Sequence, residues 1–164
     1  MDTQNKELEE AIFAAGCFWG VEETFRQSRG VKETEVGYTG GHTESPTYEQ
    51  VCGDSTGHAE AVRVVFDPKE TSYEELLKIF WKLHDPTTMN RQGPDVGSQY
   101  RSAVFYKNDE QKAIAEKVKA DLENRKVYQG KIVTEVVPLN VFYKAEDYHQ
   151  RYFMKRGGGG VCHV

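Results

Sequence analysis

Residues 12–20 read Ile-Phe-Ala-Ala-Gly-Cys-Phe-Trp-Gly, and this stretch restricts the fold more than any other. Ile12, Phe13, Ala14 and Ala15 leave almost no polar face, which suits a strand buried on both sides. After Gly20, the alternation of Val21 and Phe25 with Glu22, Glu23 and Arg26 has the pattern of an amphipathic helix. Cys17 is therefore expected where a central strand turns into the first turn of a helix. There the helix-end amide groups and the macrodipole favour a thiolate over a thiol. Gly16 and Gly20 allow backbone and ligand to approach closely. A buried, inert cysteine is the bland alternative, because free cysteine is among the most buried residue types. Consecutive Phe18 and Trp19 cannot both face one core, however, so Cys17 is read as a nucleophile beside an apolar wall. Such a wall suits a small apolar group, such as a methyl.

The chain has 164 residues and a formal net charge of -5. One domain, residues 1–164, follows from the length, with a core of ordinary size. The acidic balance argues against nucleic-acid binding, which needs a basic patch or stripe. Lys112, Lys117, Lys119, Arg125 and Lys126 cluster, but Glu110, Glu116, Asp121 and Glu123 are interleaved. That is the pattern of a solvated helix face laced with pairs such as Asp121–Arg125. The first nine residues carry no apolar signal core, and no run reaches membrane-spanning length. A soluble, cytoplasmic monomer without membrane contact is expected. Three cysteines, none in a Cys-x-x-Cys pair, do not form a disulfide framework or a metal motif. The five histidines are scattered, and no metal or cofactor is expected.

Along the chain, residues 31–38 form a second strand near a sheet edge, and Ser45-Pro46 opens a short helical turn through Tyr48 and Val51. Gly57-His58-Ala59-Glu60 enters a third strand with Val62, Val64 and Phe66 on one face. Ser72 and Glu75 make a capping box before Leu76, Leu77, Ile79, Phe80 and Leu83 at helical spacing. Residues 87–99 read as a polar loop, long enough to be functional. A strand over 103–106 follows, then a helix capped by Asn108 and Gln111 with the stripe Ile114, Val118 and Leu122. Residues 132–137 and 141–143 read as short strands and 147–155 as a last helix. This order predicts an α+β fold, a two-layer sandwich with a ferredoxin-like core in which helices cover a mixed sheet.

Glu60, at a strand start in an otherwise apolar segment, is either a solvated strand-end carboxylate or a partly buried acid able to donate a proton. Tyr48 and Tyr100 could aim hydroxyls at the same point, and Asp95 could orient a water or cap a turn. Cys52, between Val51 and Gly53, is read as a small buried hydrophobe. The histidines are read as structural or solvent-exposed. Four glycines, residues 157–160, form a flexible tether, with a span on the order of 12 Å for five residues. An exposed thiol is a liability, so Cys162 on a mobile arm, residues 156–164, suggests a resolving cysteine that condenses with a sulfenic acid.

Gly16-Cys17-Phe18-Trp19-Gly20, Gly57-His58-Ala59-Glu60 and the glycine-rich tail with Cys162 resemble the peptide methionine sulfoxide reductases of type A, over nearly the whole chain from about Ala11. The resemblance implies reduction of the S epimer of methionine sulfoxide, free or within proteins. Cys17 then corresponds to the nucleophile, and Glu60 to the acid that protonates the sulfoxide oxygen with help from Tyr48 and Tyr100. Asp95 corresponds to the carboxylate that fixes a water, and Phe18 and Trp19 to the residues that receive the substrate methyl. The resemblance also implies a Cys17–Cys162 disulfide reduced by thioredoxin; with no further cysteine after Cys162, direct attack on that disulfide is expected. Two other readings stay open: a thiol hydrolase or acyltransferase using Cys17, His58 and Glu60, and a non-catalytic redox-sensing module.

Overall fold

The computed structural model describes residues 8–156. Strand β1 (Glu9–Ala15) leads through Gly16 and Cys17 into helix α1 (Phe18–Arg26). Strand β2 (Val31–Thr39), the one-turn helix α2 (Tyr48–Cys52) and strand β3 (Ala59–Phe66) follow. Helix α3 (Tyr73–Lys82) precedes a small hairpin, β4 (Arg91–Gln92) and β5 (Asp95–Val96), and a 3-10 turn at Ser98–Tyr100. Then come strand β6 (Ser102–Tyr106), helix α4 (Asp109–Asn124), strands β7 (Glu135–Pro138) and β8 (Tyr143–Lys144), a 3-10 turn at Asp147–His149 and helix α5 (Tyr152–Lys155).

The main sheet runs β7-β6-β1-β3-β2-β8. Its inner four strands are mutually antiparallel in the order expected of a ferredoxin-like core, β6-β1-β3-β2. β7 adds to β6 in parallel, which makes the sheet mixed, and β8 caps part of β2. The sequence reading of an α+β sandwich holds. β1 lies at the centre, and alternate side chains leave it on opposite faces. Phe13 stacks between Phe25 and Phe80, at 5.2 and 5.1 Å between ring centroids, and so joins α1 and α3 to the sheet. Ile12 and Ala14 face the other side with Ala59, Ala61, Ala103 and Phe105, where Val137, Leu139 and Phe142 cover them. Residues 11–15 are all buried. Each large apolar side chain contributes about 1.5–3 kcal/mol by burial, so this strand anchors whatever follows it.

Several boundaries differ from the sequence expectation. Ser72 accepts a hydrogen bond from the Glu75 amide, the first half of the expected capping box. Residues 87–99 contain the β4–β5 hairpin, whose polar residues hid its pairing. β7 starts at Glu135 and not at Ile132, because the backbone before it bonds elsewhere: Val133 N–H to Pro86 O, and Thr134 O to Lys119 Nζ. β8 is Tyr143–Lys144 and leaves Val141 exposed. The helix expected over 147–155 is broken at Gln150 and Arg151. Gln150 turns inward to bond both polar backbone groups of Val36, at 2.9 Å each. Arg151 adopts φ 50° and donates its amide to Glu22 Oε1.

Candidate active site

Cys17 occupies the N-cap of α1, half-buried, and its carbonyl accepts the first helical bond from Val21 N–H. Gly16 has φ 102°, a conformation that side-chain-bearing residues rarely adopt, and this turn aims Cys17 off the end of β1. The next amide, Phe18 N–H, donates to Glu60 Oε1 at 3.1 Å. That bond spans 42 positions of sequence and places a buried carboxylate beside the cysteine. Glu60 is held there by the β2–β3 ladder, in which it lies opposite Tyr38.

Tyr48 and Tyr100 both lie within electrostatic range of Glu60. Burial pushes the Tyr48 hydroxyl well above its ordinary pKa, and its hydrogen bond to Cys52 pushes it further. Burial does the same for Tyr100, which also feels Glu60, Cys52, Asp95 and Cys17. Both therefore remain protonated donors at neutral pH. Asp95 sits on β5, half-buried, within electrostatic range of Tyr100. Cys52 is exposed, contrary to the sequence reading: α2 buries only Val51, so its last residue turns outward. Although the residue as a whole is exposed, desolvation of its thiol pushes its pKa up, against the lowering effect of the Tyr48 hydrogen bond. Cys162 lies outside the described residues.

Phe18 is buried and Trp19 half-buried, as two faces of one aromatic wall. The Trp19 indole donates Nε1–H to His149 Nδ1 at 2.9 Å and stacks on Tyr152 at 3.8 Å and 5°. Arg156 covers the far face of Tyr152 at 3.8 Å. The His149 ring also contacts Tyr48 at 4.4 Å and Phe18 at 5.2 Å. His149 and Tyr152 were invisible in the sequence, because the contact joins residues 130 positions apart. His58, in contrast, is engaged by backbone: Nδ1 accepts from Gly41 N–H at 3.0 Å, and Nε2 donates to Thr43 O at 2.7 Å. Neither nitrogen is available to deprotonate Cys17, which counts against the hydrolase reading.

His149 is fully buried, and burial lowers its pKa below 6.5, partly offset by Glu146. Its Nδ1 lone pair is occupied by the indole, so protonation there sets two N–H groups against each other. The folded protein thus resists a proton that the unfolded chain accepts. Stability is expected to fall as pH drops below about 6.5, the ordinary value. Urea titrations at pH 7 and pH 5 should show a loss in wild type that shrinks in His149→Gln. An identical pH response in the two proteins contradicts this assignment.

The family model of peptide methionine sulfoxide reductase matches residues 9–164. A peptide methionine sulfoxide reductase MsrA from Methanosarcina acetivorans is 67% identical over 150 residues, covering 92% of this chain and 80% of the relative. The crystal structure of reduced Mxr1 from Saccharomyces cerevisiae superposes with a TM-score of 0.88 at 37% identity, covering 96% of this chain and 90% of Mxr1. Mxr1 in complex with Trx2 superposes with a TM-score of 0.64 at 26% identity, covering 90% and 86%.

Proposed function

The chain belongs to the peptide methionine sulfoxide reductase family, an oxidoreductase family, and from that premise we propose how its residues carry the reaction. Cys17 attacks the sulfur of methionine S-sulfoxide as a thiolate. Oxide is a poor leaving group, so the sulfoxide oxygen must gain a proton as negative charge develops on it. Glu60 supplies that proton, and the Tyr48 and Tyr100 hydroxyls donate hydrogen bonds to the same oxygen. The observation that most supports this assignment is the Phe18 N–H to Glu60 bond, which brings that carboxyl group to the residue following Cys17. Phe18 and Trp19 receive the substrate methyl, and Asp95 fixes a water in the pocket.

Methionine departs with its sulfur reduced by two electrons, and Cys17 is left as a sulfenic acid. The Cys162 thiol then attacks the Cys17 sulfur, a disulfide forms and water leaves. A thioredoxin dithiol reduces the disulfide by exchange, a role that the yeast relative's complex with Trx2 supports. Cytoplasmic placement suits a cycle that needs a reducing partner.

Mass spectrometry after one equivalent of methionine S-sulfoxide, without reductant, tests both halves of the cycle. The expected result is one equivalent of methionine and a protein lighter by two hydrogens, with the bridge mapped to Cys17 and Cys162. An unchanged protein and no methionine reject the reductase mechanism. A bridge to Cys52 keeps the reduction but removes Cys162 from it.

A further inference from the structure

Helix α2 carries Tyr48, whose ring packs against the main core and lies 4.4 Å from the His149 ring. The helix is five residues long and buries only Val51. Its capping box is internal: Thr47 Oγ1 accepts from Gln50 N–H, and Gln50 Oε1 accepts from Thr47 N–H. Such a box sets the shape of the turn but not its place relative to Glu60. The Tyr48 amide is bound from elsewhere. It donates to Glu146 Oε2 at 2.9 Å, across 98 positions of sequence.

The other oxygen of Glu146 accepts from the Tyr38 hydroxyl at 2.8 Å. Tyr38 lies on β2 directly opposite Glu60, so the carboxylate refers α2 to the same strand pair that carries the acid. The backbone around Glu146 is itself fixed. Ala145 N–H donates to Val36 O, Gln150 brackets Val36, and His149 N–H closes back on Glu146 O at 3.0 Å. Glu146 Oε1 also stands 3.9 Å from His149 Nε2, whose ring holds Trp19. Burial raises the carboxyl pKa of Glu146, but the bonds from Tyr48 and Tyr38 outweigh it and keep the group ionised at neutral pH.

We infer that Glu146 is a positioning residue for the reduction: its carboxylate fixes Tyr48 relative to Glu60, so that the hydroxyl meets the sulfoxide oxygen. The inference rests on the function proposed above and adds a group that never touches substrate. Without that carboxylate, α2 keeps its turn but loses its registration, and misplacement of a donor by about 1 Å can cost on the order of 100-fold in rate.

The test is a double-mutant cycle in single-turnover methionine release. Glu146→Ala is expected to slow release about 10- to 100-fold with little change in KM. Glu146→Gln should stay within about threefold, because its carbonyl still accepts from Tyr48 N–H and its amide can donate to Tyr38 Oη. In a Tyr48→Phe background, Glu146→Ala should cost less than about threefold, since the hydroxyl it positions is already gone. If Glu146→Ala does not fold, Glu146→Asp replaces it; one methylene shorter, it cannot span both partners and should behave as the alanine variant. Amide hydrogen exchange at Tyr48, which needs no activity, should accelerate in the same variants and not in Glu146→Gln. Unchanged rates in Glu146→Ala, or an equal loss with and without the Tyr48 hydroxyl, overturn the inference. Accelerated Tyr48 exchange in a protein whose wild type forms no methionine overturns the proposed function and, with it, any role in this reaction.

Discussion

Glu60→Gln is expected to slow single-turnover methionine formation about 10²- to 10⁴-fold, the usual contribution of a positioned general acid. The substitution is close to isosteric, and a carboxamide oxygen can still accept the Phe18 amide that the carboxylate accepts at 3.1 Å. The turn that presents Cys17 should therefore survive, while the proton that departs with the sulfoxide oxygen is gone. Rapid-quench measurement of methionine, with no reductant present, isolates this step from recycling. Two controls fix the interpretation. Cys17→Ser should form no methionine, and the rate of Cys17 alkylation should change far less than the reduction rate if Glu60 acts on the substrate oxygen. A Glu60→Gln rate within about threefold of wild type removes Glu60 from the role of acid and leaves Tyr48 and Tyr100 as the donors.

Deleting residues 161–164, or replacing Cys162 by Ser, is expected to change the number of turnovers and not the first of them. With thioredoxin as reductant, each chain should release about one methionine and stop, because the thiol proposed to resolve the Cys17 sulfenic acid is then missing. A small dithiol can attack that sulfenic acid directly and should restore turnover. The contrast arises because a thioredoxin acts by exchange on a disulfide, and the truncated chain cannot form one. Cys52 is not expected to substitute. Its thiol is already engaged by the Tyr48 hydroxyl in the folded chain. Continued thioredoxin-driven turnover in the truncated chain rejects Cys162 as the resolving thiol.

Much of this was legible in the sequence because it depends on local chemistry. An unbroken apolar run suits a strand buried on both faces, and residues 11–15 are so buried. Gly16 marks a turn that requires positive φ, and the helical pattern beyond it puts Cys17 at the N-cap. Asn108 and Ser72 cap the helices they were expected to cap. Strand and helix order sufficed for the ferredoxin-like arrangement, because short connections leave few ways to bury those faces. The misreadings fall where tertiary partners override local preference. Gln150 and Arg151 sit in a stretch with helical composition, but the helix breaks there because Val36 and Glu22 capture them. Cys52 looks apolar between its neighbours and is exposed, since a one-turn helix hides only one of its faces.

By itself, then, the sequence determined the strand, the turn and the position of the sulfur at a helix start, all governed by hydrophobic periodicity and backbone sterics over a few residues. Only the tertiary structure decided which groups gather around the turn that carries it. Glu60 reaches the Phe18 amide because β1 and β3 pair in one register, His149 reaches Trp19 from 130 positions away, and Glu146 ties Tyr48 to Tyr38. Each of those bonds is short and directional, so its existence depends on the packing of the whole core and on no pattern that neighbouring residues can carry.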